Sequence, residues 1–460
     1  MFKLNYVESP IYAMRLSLCF FAFVLLLSGN QVAYAQSPVT KDSFPRIGGI
    51  NIAPRNYEDP AYQAKLAKAD WVIFGFYENW SKNGQSMADV ISNIKAINPD
   101  LVAANYTNPS AVRDDGSAMA EKIGSSKGPN GIGDWWGYDA NGVRLRWTSD
   151  AYHVNYTTLV TPDSNGDRWP QWLAKYDKAT FYDNAGFDMV FIDNMSSKDW
   201  TGTGTPDYDR DGRPDSSGAR DAQYRAAHAA YIDKFRALMP NHAVIGNITP
   251  WLIPGFTDDV YPEYKGKLDG GVMERVIGAD YSIEGSDADG SLNSWGSWEK
   301  MMGAYQNAVN WTSGQFIMFS VSGYADDYQT MRYGLTSCLM GNGYYSYSDQ
   351  LQLFHSLPWF DEFDVDLGKS MSPHQISPWK NGVYRRDFEK GVVLVNPRRN
   401  GRQVVNVGSG LRRLNGTQDP SHNNGQAVES LVLNDGDGII LIRENVVTRP
   451  KPPTISSNSN

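Results

Sequence analysis

Two acidic residues sit where an apolar run stops. Asp193 follows Met189-Val190-Phe191-Ile192, and Glu274 follows Gly270-Gly271-Val272-Met273. An unpaired carboxylate is costly to bury, so a carboxylate at the end of such a run points to chemistry or to an ion pair. Two carboxylates facing one another are what glycosidic cleavage uses: one protonates the leaving oxygen, the other attacks the sugar or activates water. Asp193, short and close to its strand, suits a nucleophile or base. Glu274, in a partly apolar setting, suits an acid with a raised pKa. The bland alternative is that each pairs with an arginine. Arg275 is adjacent to Glu274, but alternation along a strand should point it the other way.

These residues need a scaffold that brings strand ends together. Eight apolar runs of strand length precede residue 350: 46–53, 71–77, 101–108, 187–194, 243–249, 270–276, 315–322 and 342–349. Their near-continuous apolar character fits strands buried on both faces. Helical patterns separate most of them. Asp59-Pro60 reads as an N-cap with Pro in the first turn. Val90, Ile91, Ile94 and Ile97 form one stripe, and Tyr224, Ala227, Tyr231, Phe235 and Leu238 another. Asp326 or Asp327 caps a helix that buries Cys338. Eight strand–helix units in a row predict a TIM-type (β/α)8 barrel over residues 36–372, whose active site lies at the C-terminal strand ends. From residue 373 to 445 short strands with Gly, Asn and Pro turns predict an antiparallel β-sandwich. Residues 446–460 read as a disordered tail.

The strand-end rule nominates further substrate-binding residues: Glu78 and Trp80, Asn105 and Tyr106, Asn194, Asn247, Ser320 and Tyr347. The 78-residue stretch between the third and fourth runs is rich in Gly, Asp, Asn and Trp, and loops this long are usually functional. Flat rings such as Trp136 there can stack on sugars; the bland alternative is that several of these tryptophans only pack the loop. Asp188, at the start of its strand, belongs to the opposite, structural face.

Asp207, Asp209, Asp211, Arg213 and Asp215 stand at alternate positions around Gly212, which predicts a structural Ca2+ loop outside the EF-hand class, since Gly218 occupies the place of the closing Glu. Asp163-Ser164-Asn165-Gly166-Asp167 is a weaker version. No phosphate-binding loop, dinucleotide fingerprint, H-E-x-x-H or paired C-x-x-C occurs, so no organic cofactor is expected. The net charge of −9 and absence of a dense basic run argue against a nucleic-acid partner.

Arg15, the apolar run 16–27 and Ala33-Tyr34-Ala35 predict a signal peptide over residues 1–35 and a secreted protein, periplasmic or extracellular. The run is too short to span a bilayer comfortably, and no other segment spans. Of the two cysteines, Cys19 would leave with the signal, so no internal disulfide is expected.

Gly186-Phe187-Asp188-Met189-Val190-Phe191-Ile192-Asp193-Asn194, Asp269-Gly270-Gly271-Val272-Met273-Glu274 and Trp359-Phe360-Asp361-Glu362-Phe363-Asp364-Val365-Asp366-Leu367-Gly368 resemble hypothetical glycosyl hydrolase family 15. That group is similar to endo-α-1,4-polygalactosaminidases and, more distantly, to α-galactosidase and α-amylase barrels. The resemblance covers about residues 46–445, and Gly391-Val392-Val393-Leu394-Val395-Asn396-Pro397 is similar to the sandwich that follows such barrels. It implies Asp193 as nucleophile, Glu274 as proton donor, and a carbohydrate substrate. The competing expectation is a carbohydrate-binding protein on the same scaffold without catalysis; a structural or adhesive surface protein would leave the two carboxylates unexplained.

Overall fold

The computed structural model describes residues 41–444 apart from 54–55, 77–79, 126–134, 200–203, 249–262, 287–290 and 313. The predicted signal peptide and tail lie outside the described residues, as does Glu78.

In chain order the strands begin with β1 (Gly48–Asn51), β2 (Trp71–Phe74) and β3 (Val102–Thr107), followed by a two-stranded ribbon of β4 (Ala111–Arg113) and β5 (Ala151–His153). Then come β6 (Met189–Ile192), β7 (Ala243–Asn247), β8 (Gly270–Ile277), β9 (Phe316–Gly323) and β10 (Tyr344–Asp349). All eight predicted runs form strands, and they pair in parallel in the order β1-β2-β3-β6-β7-β8-β9-β10. A bridge between Ile47 and Tyr345 closes the cylinder. This is a TIM barrel.

Period-2 alternation decides what each strand presents. Ile50, Trp71, Ile73, Val102, Ala104, Met189, Phe191, Ala243, Ile245, Val272, Phe316, Met318 and Tyr344 fill the interior as one cluster. Intervening residues such as Val190, Val244, Phe319 and Tyr345 pack outward. Helices Pro60–Leu66, Met87–Ile97, Trp169–Asp177, Ser217–Leu238, Trp298–Trp311 and Tyr328–Leu339 lie between the strands along the chain. Asp59 caps the first of these, and Asp327, not Asp326, caps the last through Thr330 N–H at 2.9 Å.

Three acidic residues preceding strands tie the N-terminal end of the barrel. Asp70, Asp188 and Asp269 accept from the backbone N–H of Ile47, Ala103 and Val244 at 2.7–2.8 Å. Each also meets a cation: Lys41, Lys95 and Arg236. Asp188 is therefore structural, as its position predicts.

The long stretch after β3 is not bare loop. It holds the ribbon and helices Ala118–Ser125 and Trp169–Asp177, and Trp135, Trp136 and Trp169 are buried in it. The indole N–H groups of Trp135 and Trp169 donate to Thr161 O and Pro109 O.

The C-terminal part contains β11 (Tyr384–Asp387), β12 (Gly391–Asn396), β13 (Gln403–Asn406), β14 (Leu411–Arg413), β15 (Ser430–Leu433) and β16 (Asp437–Arg443). One antiparallel sheet runs β11-β12-β16-β14, and β13 pairs with β15. Val392, Leu394 and Leu441 join Val405, Leu431 and Leu433 in a core between the sheets. Val393, Val395 and Ile440 on the other face join the barrel's outer core. This double burial explains why β12 reads as a continuous apolar run. Helix Tyr328–Leu339 lies so close to β16 that a Cβ on Gly438 would stand 1.9 Å from Thr336 Oγ1.

Candidate active site

Alternation carries upward from the core to the mouth. Asp193 follows interior Phe191 by two residues, Asn247 follows Ile245, Glu274 follows Val272, and Tyr106 follows Ala104. These four side chains meet. Tyr106 Oη donates to Asp193 Oδ2 at 2.6 Å. Asn247 Nδ2 donates to Asp193 Oδ1 at 3.1 Å and to Glu274 Oε2 at 2.7 Å. Thus the strand between the two acid-bearing strands supplies the amide that bridges them. Tyr281, in the loop after β8, donates to Glu274 Oε1 at 3.2 Å.

Burial raises the Glu274 carboxyl above the ordinary glutamate range, and the neighbouring Asp193 charge raises it further. The Asn247 donor, the Arg275 charge and the Tyr281 hydroxyl oppose this without reversing it. Such a group keeps its proton to higher pH, as a general acid requires.

The remaining nominated residues divide. Ser320 faces the interior, is fully buried, and its hydroxyl has no partner among the described residues. Asn105 has the wrong parity for the mouth. It is buried outside the strand barrel, where Tyr182 Oη donates to its Oδ1. Tyr347 also faces outward, donating to Tyr324 O at 2.8 Å and packing on Phe360. Its neighbours Ser346 and Ser348 hold the inward positions, in register with Ser320 and Ser322. Trp136 is 3% exposed, with Arg144 stacked 4.1 Å from its ring centre, so it packs the long loop and offers no free face. Trp80 is half-buried against Phe76 and Tyr57. Asn194 turns the chain at φ 53, and its carbonyl accepts from Tyr224 Oη.

Strand alternation predicts neither Tyr281 at this site nor the direction of Arg275. Tyr281 lies in an irregular loop with no periodic signal. Arg275 sits in a bulge, φ 47, where the β8–β9 register shifts between Met273 and Ile277. The bulge turns it toward Ser322 Oγ at 2.9 Å and Gln350 Oε1 at 2.8 Å. The inward serines, by contrast, were available from the period of two anchored at Tyr344.

In the acidic loop, Asp207, Asp209 and Asp211 each offer an oxygen within 4.8 Å of the others. Gly212, at φ 82, makes the turn, and the N–H groups of Asp211 and Gly212 donate to Asp207. Desolvation raises the carboxyl of the exposed Asp209; the Asp211 N–H opposes this, and neighbouring Asp207, Asp211 and Asp215 add to it. A set of converging carboxylates fits a hard cation. Arg213 contributes an N–H to Asp211 Oδ1, and Asp215 Oδ2 accepts from Tyr208 N–H. In the weaker version, Asp163 and Asp167 are paired with Lys122 and Lys175.

The model of hypothetical glycosyl hydrolase family 15 matches residues 95–392, a span that includes Asp193, Asn247 and Glu274. No curated protein matches. Among solved structures, Amy13B of Eubacterium rectale is 9% identical, with 89% of this chain and 95% of that chain covered at a TM-score of 0.51, which is a likeness of fold. The glycoside hydrolase domain of PelA from Pseudomonas aeruginosa is 16% identical over 67% of this chain and 96% of that one, TM-score 0.41. An Anoxybacillus α-amylase is 10% identical over 87% and 98%, TM-score 0.46. The matched family and the barrel support a glycosidase-type function, and the chain belongs to hypothetical glycosyl hydrolase family 15.

Proposed function

We propose that the protein is a secreted glycosidase that hydrolyses O-glycosidic bonds of a polysaccharide or oligosaccharide with retention of configuration. The observation that carries this reading is the shared Asn247 amide. Its two contacts keep the accepting oxygens of Asp193 and Glu274 less than about 6 Å apart. Retention goes with carboxyl groups about 5–5.5 Å apart, whereas inversion needs about 6.5–9.5 Å to seat a water.

In this mechanism Asp193 attacks the anomeric carbon while Glu274 gives its proton to the departing oxygen. A covalent glycosyl–Asp193 ester results. Glu274, now ionised, takes a proton from water, and the water oxygen displaces Asp193 from the sugar. The Tyr106 and Asn247 donors hold Asp193 in place for the attack.

The acidic loop would hold Ca2+ through Asp207, Asp209 and Asp211, a structural ion that fixes the segment after β6. Secretion rests on the N-terminal sequence pattern. Among the described residues no helix is long and apolar enough to cross a membrane.

Reducing-end release from a panel of bacterial and plant polysaccharides tests the reading. Wild type should release ends, and Asp193→Asn should lose about three decades or more of that rate. Oligosaccharide binding that survives Asp193→Asn and Glu274→Gln, with no ends released by any variant, would identify a binding protein instead.

A further inference from the structure

We propose that Tyr281 is a positioning residue which, together with Arg275, sets the protonation of Glu274. This rests on Glu274 being the acid/base of the proposed glycosidase.

A regular strand would direct Glu274 inward and Arg275 outward. The bulge in β8 cancels that alternation. Two backbone features hold it: the left-handed Arg275, and Gly278 at φ 89, where a Cβ would lie 1.8 Å from Ser322 O. Non-glycine left-handed residues are strained and persist where their surroundings enforce them. Here the surroundings are Ser322, Gly278 O and Gln350, all bonded to the Arg275 guanidinium at 2.8–2.9 Å. That guanidinium lies 5.6 Å from the centre of the Tyr281 ring. A fixed cation therefore backs the tyrosine whose hydroxyl reaches Glu274.

Both oxygens of Glu274 then have donors, Asn247 on one and Tyr281 on the other. Donors favour the ionised form; burial and the Asp193 charge favour the protonated form. An acid/base must visit both forms in each cycle. Opposed influences of this kind keep either one within reach. Glu274 is faced by Asp193 from β6, the neutral Asn247 from β7, Arg275 from its own strand and Tyr281 from the following loop. Tyr106 from β3 acts through Asp193.

The test is a carboxyl 13C NMR titration of the free protein labelled at glutamate Cδ, with the Glu274 signal assigned by its loss in Glu274→Gln. In Tyr281→Phe the ring remains under Arg275 but the donor is gone. The Glu274 midpoint should then move up by about one pH unit. Arg275→Gln should move it the same way, and Arg275→Lys, which keeps the charge, should restore most of the difference. A residue that merely packs would leave the midpoint unchanged in Tyr281→Phe, and that result overturns the proposal, as would a downward shift. No substrate is needed, so the titration is separable from the glycosidase reading: absence of cleavage by wild type would sink that reading whatever the midpoint does. Where wild type does cleave, the alkaline limb of kcat/KM must follow the NMR midpoint in each variant.

Discussion

Asp193 and Glu274 meet at one nitrogen, the Nδ2 of Asn247, which lies 3.1 Å from the first and 2.7 Å from the second. A neutral donor between two carboxylates moderates their repulsion while holding both side chains in place. Asn247→Leu should remove the bridge and the restraint together. The expected result is a fall in kcat/KM of about ten- to a hundredfold with KM little changed, since the loss falls on the reacting groups. A loss confined to KM would show that Asn247 binds substrate instead.

Tyr106 Oη donates to Asp193 Oδ2 at 2.6 Å, shorter than the 3.1 Å contact from Asn247. Tyr106→Phe keeps the ring against Phe191 and deletes the hydroxyl. A charge-assisted hydrogen bond contributes about 1.5–3 kcal/mol, so kcat should fall roughly ten- to a hundredfold. Wild-type turnover in this variant would remove Tyr106 from the catalytic machinery.

Asp177 makes a separate prediction about stability. It is buried on helix Trp169–Asp177, where Tyr231 Oη donates to it at 2.6 Å, and burial pushes its carboxyl up to about 7. In the unfolded chain the same group has a pKa of about 3.9. A folded value above the unfolded one gives a contribution fully present below about pH 4 and lost as pH rises through 7. Asp177→Asn cannot ionise. Its melting temperature relative to wild type should therefore climb between pH 4 and pH 8. A difference that stays flat across that range would show that the group does not change its proton there.

Barrel and sandwich are joined by an ion pair whose acid is buried and whose arginine is partly buried. Glu284 is 2% exposed, accepts from Arg398 at 3.1 Å and from Tyr333 Oη at 3.2 Å, and Arg398 belongs to the turn after β12. Removing one partner of a buried pair leaves an uncompensated charge and costs about 3–5 kcal/mol. Arg398→Ala should lower the urea midpoint accordingly, and adding Glu284→Gln should recover a large part of the loss. Two independent, additive effects in the double variant would argue against a coupled pair.

For the acidic loop, chelation by EDTA should lower the melting temperature and Ca2+ should restore it, with Mg2+ less effective because it demands a smaller octahedral cage. Asp209→Asn should abolish the response. If chelated and Ca2+-loaded proteins melt together, the loop is a solvated turn.

Much of this architecture was legible in the chain. The eight apolar runs became the eight barrel strands because strands buried on both faces carry a strong local signature. Asp193 and Glu274 were recognisable for the same reason: a carboxylate breaking such a run needs a partner or a function. Tyr106, Asn247 and Ser320 follow from counting by twos along their strands, and the same count excludes Asn105 and Tyr347 once an interior residue is fixed. Trp136 illustrates a different limit, because composition cannot tell a stacking platform from a packed ring. What only the tertiary structure decided is which groups touch. The bridge through Asn247 depends on strand stagger around a closed barrel. Arg275 reaches the mouth because a bulge breaks the alternation that any reading of the strand must assume. Tyr281 arrives from an aperiodic loop. Local sequence carries the period of a strand, but register shifts and loop paths are set by contacts between segments far apart in the chain, and so it was the fold that assembled the site.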